Sequence, residues 1–551
     1  MRNWYKSGEP WVWTTAGAVA LSLIMVYAVV WLTAARGLTH FWPKPVAEVT
    51  YQDRSGTRVR LIGEVREKEE VSVVRLREQG YDIESEDVFS SRYLLKLGNK
   101  DLTGVDFRWY PAPMLGEFVY PEDVLAIERR EWGNFYGHLK QVKENGEVVA
   151  EGAAAWAEAE KRLARSNALF RQALRIEKVD IGKINYALEK IRLNERKLEL
   201  TDKLTDAAKA EFAREREARE ADYLVLQGRL DKIRSDIERD SVTVETSDGQ
   251  MVDIPFAKIA DMYMPNAMSV WQKMGFYVHK FWEFVTDDPR EANTEGGIFP
   301  AIFGTVMMVL LMSVMVTPLG IMAAVYMREY AKQGPMIRAI RISVNNLAGV
   351  PSIVYGVFGL GFFVYVLGGS IDELFFAEAL PAPTFGSPGI LWASLTLAIL
   401  TLPVVIVATE EGLSRVPRTI REGSLALGAT KAETLWRTVL PMASPAMMTG
   451  LILAVARAAG EVAPLMLVGV VKLAPSLPLD GNFPFLHLER KFMHLGFHIY
   501  DVGFQSPNVE AARPLVYATA LLLVIIIVVL NLFAIRLRNR LRERLRGLEG
   551  V

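Results

Sequence analysis

Residues 409–441 read TEEGLSRVPRTIREGSLALGATKAETLWRTVLP, a charged, amphipathic stretch between two strongly apolar ones. Gly428 can leave the right-handed helical region at little cost, so it predicts a helix stop. Two residues later, Thr430 and Glu433 have the Thr-x-x-Glu spacing of a capping box, which predicts that a second helix starts at once. Glu433 and Arg437 then lie four apart on that helix, and Pro441 is expected to end it. The stretch reads as helix, tight turn and helix, kept out of a bilayer by its charges. Such a lever can dock in a groove of another protein; the plainer reading is an ordinary helical hairpin between two membrane spans.

Six apolar segments occur along the chain, four before this pattern and two after it: residues 11–35, 297–327, 342–371, 388–409, 445–471 and 514–535. Each is long enough to cross a hydrocarbon core of about 30 Å, which takes about 20 helical residues. The first carries no charge and lacks a small-residue cleavage site after a short core, so it reads as an anchor rather than a removable signal peptide. Basic residues cluster on one side of the implied topology. Arg2 and Lys6 precede the first segment, Arg328, Lys332, Arg338 and Arg341 lie between the second and third, and the tail carries Arg536, Arg538, Arg540, Arg542, Arg544 and Arg546. Residues 369–387 have Asp372, Glu373 and Glu378 and no basic residue. Both termini and the 409–441 loop are therefore expected in the cytoplasm.

The 551 residues are 51% hydrophobic with a net charge of −1, which gives no reason to expect nucleic-acid binding. With no cysteine, disulfides, thiolate chemistry and cysteine metal sites are excluded. The chain divides into a stub and first span (1–35), an external insert (36–296), a membrane core (297–536) and a basic tail (537–551).

The insert is long enough for its own core. Val49 and Tyr51 alternate with Val59 and Leu61 around residues 53–56, and Val242 and Val244 with Val252 and Ile254 around residues 247–249, which predicts two β-hairpins. Between them, residues 151–239 are charged and nearly free of Pro and Gly. Ile181, Ile184, Leu188 and Ile191, and then Tyr223, Leu226, Leu230, Ile233 and Ile237, recur at helical steps. Two stripes with a break near residues 201–206 predict an antiparallel helical hairpin, with one long helix as the alternative. In residues 266–284, Trp271, Met274, Val278, Phe281 and Trp282 form one aromatic-rich face. It is expected either in the membrane interface or against the external domain.

The 409–441 loop resembles the EAA loop of ABC-importer permeases. Glu422 is followed by Gly423 and Ser424 where two alanines are usual, then after three residues by Gly428, and at the far end by Leu440 and Pro441; Thr438 stands where Ile is usual. A closer resemblance is to the PstA family of phosphate-transport permeases. It is carried by residues 293–300 (NTEGGIFP), Pro318 to Ile321 followed by Tyr326, Glu329 and Tyr330, residues 345–356 (NNLAGVPSIVYG) and residues 456–465 (ARAAGEVAPL). The match spans about residues 293–540 and leaves the insert unexplained. The resemblance implies an α-helical membrane protein with a type I ABC-importer (MetI-like) core of about six transmembrane helices, beside an α+β extracytoplasmic domain, in a bacterial inner membrane. It also implies a second, PstC-like permease, a PstB-like ATPase pair and a PstS-like periplasmic phosphate-binding protein as partners. Glu422, Gly423, Ser424, Gly428, Leu440 and Pro441 would form the ATPase-coupling loop, phosphate would be the substrate, and ATP would be handled by the partner, so the chain itself would be no enzyme and bind no cofactor.

Within residues 445–471, Ser444 and Pro445 predict a helix start, and Ala446, Gly450, Ala454 and Ala458 predict close approach of a neighbouring helix. Arg457 and Glu461, four apart, are expected one turn apart on one helix face. A charge at mid-bilayer costs at least about 3 kcal/mol on insertion scales, so both should face protein or water. A guanidinium there suits an oxyanion in the translocation pathway; alternatively the two groups only neutralise each other. Gly423 and Gly428 have phosphate-loop spacing, but Ala429-Thr430 follows where Lys and Ser/Thr are required, so no nucleotide site is expected. His494 and His498, with His487 and Glu489, have the spacing of a metal face but are expected to have a surface or gate-packing role. A scaffold or sensor with a degenerate permease core, and sulfate or molybdate in place of phosphate, remain alternatives at this point.

Overall fold

No charge interrupts residues 11–35, and in the computed structural model they lie within one helix, α1 (Glu9–Leu38), with Arg36 in its last turn. The structure describes residues 8–53, 55–81, 87–290, 293, 295–506 and 509–549; Arg2, Lys6, Arg54 and Thr294 lie outside the described residues. The chain forms two compact units, one of Phe41–Gly297 and one of Met1–His40 with Ile298–Val551.

In the Phe41–Gly297 unit, both alternating patterns pair as antiparallel hairpins. β1 (Val46–Gln52) pairs β2 (Arg58–Ser72), and further along the chain β8 (Asp240–Glu245) pairs β9 (Met251–Pro255), setting Val242 opposite Ile254 and Val244 opposite Val252. The first hairpin extends through β3 (Phe89–Lys96) and β4 (Phe107–Pro111) into a four-stranded meander. The second joins β5 (Val124–Arg129), β6 (Asn134–Glu144) and β10 (Ile259–Tyr263) in the order β10-β5-β6-β8-β9, with β7 (Glu147–Glu151) beside β6. One face of that sheet buries Leu125, Ile127, Phe135, Val242 and Val244 against Ala155, Ala159 and Leu163 of α2 (Ala153–Arg175). The two alanines let the helix sit close to the sheet.

The helical hairpin forms, with a longer first arm than the apolar stripes outlined. α2 continues through a π-type turn at Ile176–Ile181 into α3 (Gly182–Leu200), and α4 (Asp206–Glu238) returns. Thr205 caps α4 by accepting the Ala208 N–H at 3.2 Å. Ion pairs Glu195–Arg216, at 2.6 Å, and Glu177–Arg234 lie symmetrically about the turn, as antiparallel arms require. α5 (Val270–Thr286) begins with a full capping box at Ser269 and Gln272, and a two-residue ladder of β11 (Pro289–Arg290) with β12 (Glu295–Gly296) follows it.

The two sheets of this unit meet through buried polar groups. The Tyr136 hydroxyl of β6 donates to the Glu64 carboxylate of β2 at 2.7 Å, and the Asn99 side chain bonds both the N–H and the C=O of Tyr136. Val46, Ile62, Val124, Ala126 and Tyr263 enclose this junction.

The other unit is helical. α6 (Phe299–Val325) and α7 (Pro335–Leu347) precede α8 (Ser352–Phe358), which continues helically to Phe375. Then come α9 (Ile390–Arg415), α10 (Arg418–Ala426), the single turn α11 (Lys431–Thr434), α12 (Leu440–Gly460) and α13 (Val509–Glu549). Among the described residues, six helical stretches are long and apolar enough to cross a membrane: Trp11–Phe41, Phe299–Tyr330, Ser352–Phe375, Ile390–Arg415, Lys431–Gly460 and Ala512–Arg540. α9 is the central one, with Ala393, Leu397 and Ala398 fully buried between Met308, Met312 and Val316 of α6 and Ala454 and Ala458 of α12. At the close of α1, Gly37 abuts the Tyr517 and Ala518 backbone of α13, and Arg36 donates to the Tyr517 hydroxyl at 3.1 Å.

Four sequence expectations are corrected here. The third span does not start near Ile342: α7 is a separate amphipathic helix, and Pro351, lacking an N–H, starts the next one after a turn. Pro441 does not end a helix and Ser444 does not cap one, because the backbone is helical from Lys431 to Gly460. A wide π-type turn at Leu435–Val439 lies just before Pro441 and accommodates its ring and its missing donor. The fifth span also stops at Gly460 instead of reaching Val471, since Glu461 adopts an extended conformation (ψ 136°) ahead of Pro464.

Tyr136→Phe deletes the hydroxyl that joins the two sheets and leaves the buried Glu64 short of a donor. We expect the Phe41–Gly297 unit to lose about 1–3 kcal/mol, read in the full chain as a lower urea midpoint for proteolysis of α4. An unchanged midpoint would show that the sheets do not depend on this bond.

Candidate functional site

The charged loop is built as a capped turn with two independent anchors. α10 ends in a Schellman arrangement: the Ala429 N–H reaches the Ser424 carbonyl at 3.3 Å and the Gly428 N–H the Leu425 carbonyl at 2.9 Å, with Gly428 at φ +86°. Thr430 then forms the full capping box, accepting the Glu433 N–H at 3.2 Å while the Glu433 carboxylate accepts the Thr430 N–H at 2.9 Å. That carboxylate is thereby engaged at the helix start. Ser424 and Thr434 share a hydroxyl–hydroxyl bond of 2.9 Å that ties α10 to α11.

The anchors come from α10 and α11 to the end of the second span. Arg421 forms an ion pair with Glu329 at 2.8 Å and donates to the Leu413 carbonyl at 2.6 Å. Lys431 bonds the Glu329 carbonyl and lies 4.8 Å over the Tyr330 ring. Beside this inward-facing Arg421, Glu422 points outward with Leu425, Leu427 and Trp436, the last two 91% and 73% exposed. The sequence pattern singled out neither Arg421 with Glu329 nor the Leu427 and Trp436 pair. Glu329 was detectable as the one acid in the otherwise basic connection between the second and third spans. The exposed apolar pair has no such signal, because amphipathic spacing does not say which face lacks a neighbour.

Arg457 lies in the last turn of α12, with its Nε 3.6 Å from the Glu461 carboxylate. The two groups do come together, but not on one helix face as expected, since Glu461 lies past the helix end. Neither side chain is fully enclosed by the chain, with exposures of 36% and 21%. Tyr355 is within electrostatic reach of Arg457, and a methyl group on Gly356 would lie 2.7 Å from Pro464 Cα. Two stretches distant in sequence, 351–356 and 457–464, thus meet at one place. The small residues of α12 face α9: a methyl group on Gly450 would lie 2.5 Å from the Ala408 Cβ. The loop residues and Arg457 are not brought together. They sit at opposite ends of one continuous helix, and its 26-residue rise between Lys431 and Arg457 spans about 40 Å.

The histidines are buried rather than on the surface. His494 Nδ1 accepts the Gly496 N–H at 3.1 Å as an N-cap, and burial pushes its imidazole down to about 3. His487 lies between Asp480 and Glu489 at 3.0 and 3.1 Å. Among the described residues no group of His, Asp and Glu is arranged to hold a metal ion.

Residues 316–547 match the family model for the binding-protein-dependent transport system inner membrane component. The Phosphate transport system permease protein PstA of Mycobacterium leprae is 35% identical over 285 residues, covering 51% of this chain and 84% of that protein. PstA 1 of Mycobacterium tuberculosis (strain ATCC 25618 / H37Rv) is 36% identical over 247 residues, covering 44% of this chain and 70% of that protein. A probable PstC of Methanocaldococcus jannaschii is 27% identical over 304 residues, covering 53% of this chain and 91% of that protein. A chain of the MetNI methionine ABC transporter aligns with 17% identity and a TM-score of 0.31, covering 50% of this chain and 99% of that chain. This chain belongs to the binding-protein-dependent inner-membrane permeases and, among them, to the PstA family of phosphate transport system permeases. Its helical unit is accordingly a type I ABC-importer (MetI-like) core, and the chain is a multi-pass membrane transport subunit.

Gly423 is in mid-helix with no atom within 4 Å of an added methyl group, whereas Gly428 has equal room but a left-handed backbone. Space alone predicts the same outcome for alanine at both; backbone physics does not. We expect Gly423→Ala to stabilise the loop by about 0.5–1 kcal/mol and Gly428→Ala to destabilise it by about 1–2 kcal/mol. Hydrogen exchange at residues 423–434 should slow in the first and quicken in the second; equal rates would contradict the capped-turn account.

Proposed function

We propose that this chain is a permease subunit of an ATP-driven importer of inorganic phosphate, coupling a partner's ATP hydrolysis to translocation. The 409–441 loop and both termini would face the cytoplasm and the Phe41–Gly297 unit the outside. The observation that carries the reading is the continuous helix Lys431–Gly460. One of its ends is a capped turn with an exposed Glu422, Leu427 and Trp436 surface, and the other holds Arg457. A displacement of the turn would pass along a stiff helix to the guanidinium, because packed helices shift as units.

Each part then has a role. Glu422, Leu425, Leu427 and Trp436 would dock in a groove of an ATPase subunit, while Gly423, Ser424, Gly428, Leu440 and Pro441 would shape the lever. Arg421, held by Glu329, would keep it registered to the second span. Arg457 would meet the phosphate oxyanion through its planar fork, with Glu461 as the partner it leaves and regains. A PstC-like second permease, a PstB-like ATPase pair and a PstS-like binding protein would complete the complex; the name of the Methanocaldococcus jannaschii relative supports the first, and the description of the family as binding-protein-dependent supports the last. ATP would be bound by the partner, not by this chain.

Glu422→Arg reverses the charge on the docking face and leaves every span intact. We expect normal membrane levels, loss of phosphate uptake and retained ATPase activity; unimpaired uptake would show that the loop is not the lever.

Arg457→Gln keeps hydrogen-bonding capacity but removes the charge, and uptake is expected to fall at least about tenfold, the effect of losing one charge-assisted bond of about 1.5–3 kcal/mol. The exchange Arg457→Glu with Glu461→Arg moves the cation off the helix end, so uptake should stay low. Restored uptake would reduce the pair to a structural lock, and full activity in Arg457→Gln would remove both roles.

A further inference from the structure

One face of α5 packs within the Phe41–Gly297 unit. Phe276 lies 4.4 Å from the Tyr263 ring, and Lys280 pairs with Glu128 at 2.9 Å and Asp261 at 2.7 Å. The opposite face is apolar and open. Trp271 is 84% exposed, Met274 46%, Val278 59% and Trp282 65%, and their steps of three, four and four residues align them along the helix.

The chain itself states what lies nearby. Phe41, at the end of the first membrane-spanning stretch, packs its ring edge-on against those of Tyr277 and Phe281 and tilted against that of Phe284 of α5, at centroid distances of 6.1, 5.4 and 5.1 Å. At the other boundary, Gly297, two residues before α6, lies against the carbonyls of Asp287 and Glu283 at the C-terminal end of α5; a methyl group there would be 2.7 Å from the Glu283 oxygen. Both connections to membrane-crossing helices therefore end on this one helix. Trp42, half-exposed and 6.2 Å from Tyr277, extends the aromatic patch to the close of the first span.

We infer that α5 lies along the bilayer surface, with Trp271, Met274, Val278 and Trp282 in the lipid interface. Its 17 residues are about 25 Å long and carry Lys280 and Glu283, which suits lying on a membrane rather than crossing it. Tryptophan at both ends of the open face matches the preference of indole for the headgroup boundary. The bound ligand is lipid, held at this open face of α5. This inference needs only that the chain spans a membrane, and it stands or falls separately from phosphate transport.

The chain has no cysteine, so single substitutions give unique labelling sites. Met274→Cys and Val278→Cys, with Glu217→Cys on the exposed face of α4 as a water-facing reference, would be spin-labelled in the full chain. The labelled chain would be reconstituted in phosphatidylethanolamine–phosphatidylglycerol liposomes. Labels at 274 and 278 should collide preferentially with oxygen and lose most of the collisions with a water-soluble nickel complex that the label at 217 shows. Nickel collisions equal to those at 217 would place the face in water and overturn the inference. Shielding from oxygen and nickel alike would mean that protein covers the face, and would overturn it as well.

Discussion

α9 is held on both sides by residues too small to keep its neighbours at a distance. A methyl group on Gly320 of α6 would lie 2.6 Å from Val405, and those on Gly450 of α12 and Gly412 of α9 would lie 2.5 and 2.7 Å from Ala408 and Ala446. In lipid, apolar burial does not drive helices together, so close packing at small residues must do so. These contacts fix α6, α9 and α12 against one another. The positions of the loop at one end of α12 and of Arg457 at the other follow from them. Buried hydroxyls meet the same constraint within the helices: Thr305, Thr396 and Thr401 each return their O–H to a carbonyl four residues earlier.

A continuous helix of about 40 Å has to survive its own prolines. Pro441 and Pro445 both lie within Lys431–Gly460. The π-type turn at Leu435–Val439 supplies the slack, and a similar turn at Tyr326–Tyr330 ends the second span. The loop is fastened at the second of these turns, where Arg421 pairs with Glu329 and Lys431 reaches the Glu329 carbonyl and the Tyr330 ring.

The Phe41–Gly297 unit solves a different problem. Its two sheets are joined by Tyr136, Glu64 and Asn99, groups that would be costly to bury singly: the Tyr136 hydroxyl and Arg66 take one carboxylate oxygen of Glu64 each, and Asn99 bonds the Tyr136 backbone. Lys280 is in the same situation. It is buried among Glu128, Asp261 and Glu283, and these carboxylates hold its ammonium well above the usual lysine range against the pull of desolvation. This ionic anchor leaves the aromatic face of α5 turned outward.

Local signals settled a good part of this protein in advance. Apolar runs gave the number of spans, alternation around 53–56 and 247–249 gave two hairpins, and Gly428 with Thr430 and Glu433 gave the capped turn, because each depends on neighbours within a few residues. The family's short strings were likewise readable in order. Tertiary structure alone decided where helices end or continue through proline, since a π-type turn is a response to packing and has no sequence signature of its own. It also decided that Glu461 leaves the helix beside Arg457, that Arg421 faces Glu329 while Glu422 faces out, and that Gly356 meets Pro464. Periodicity names the faces of a helix, but only the other helices determine which face they cover.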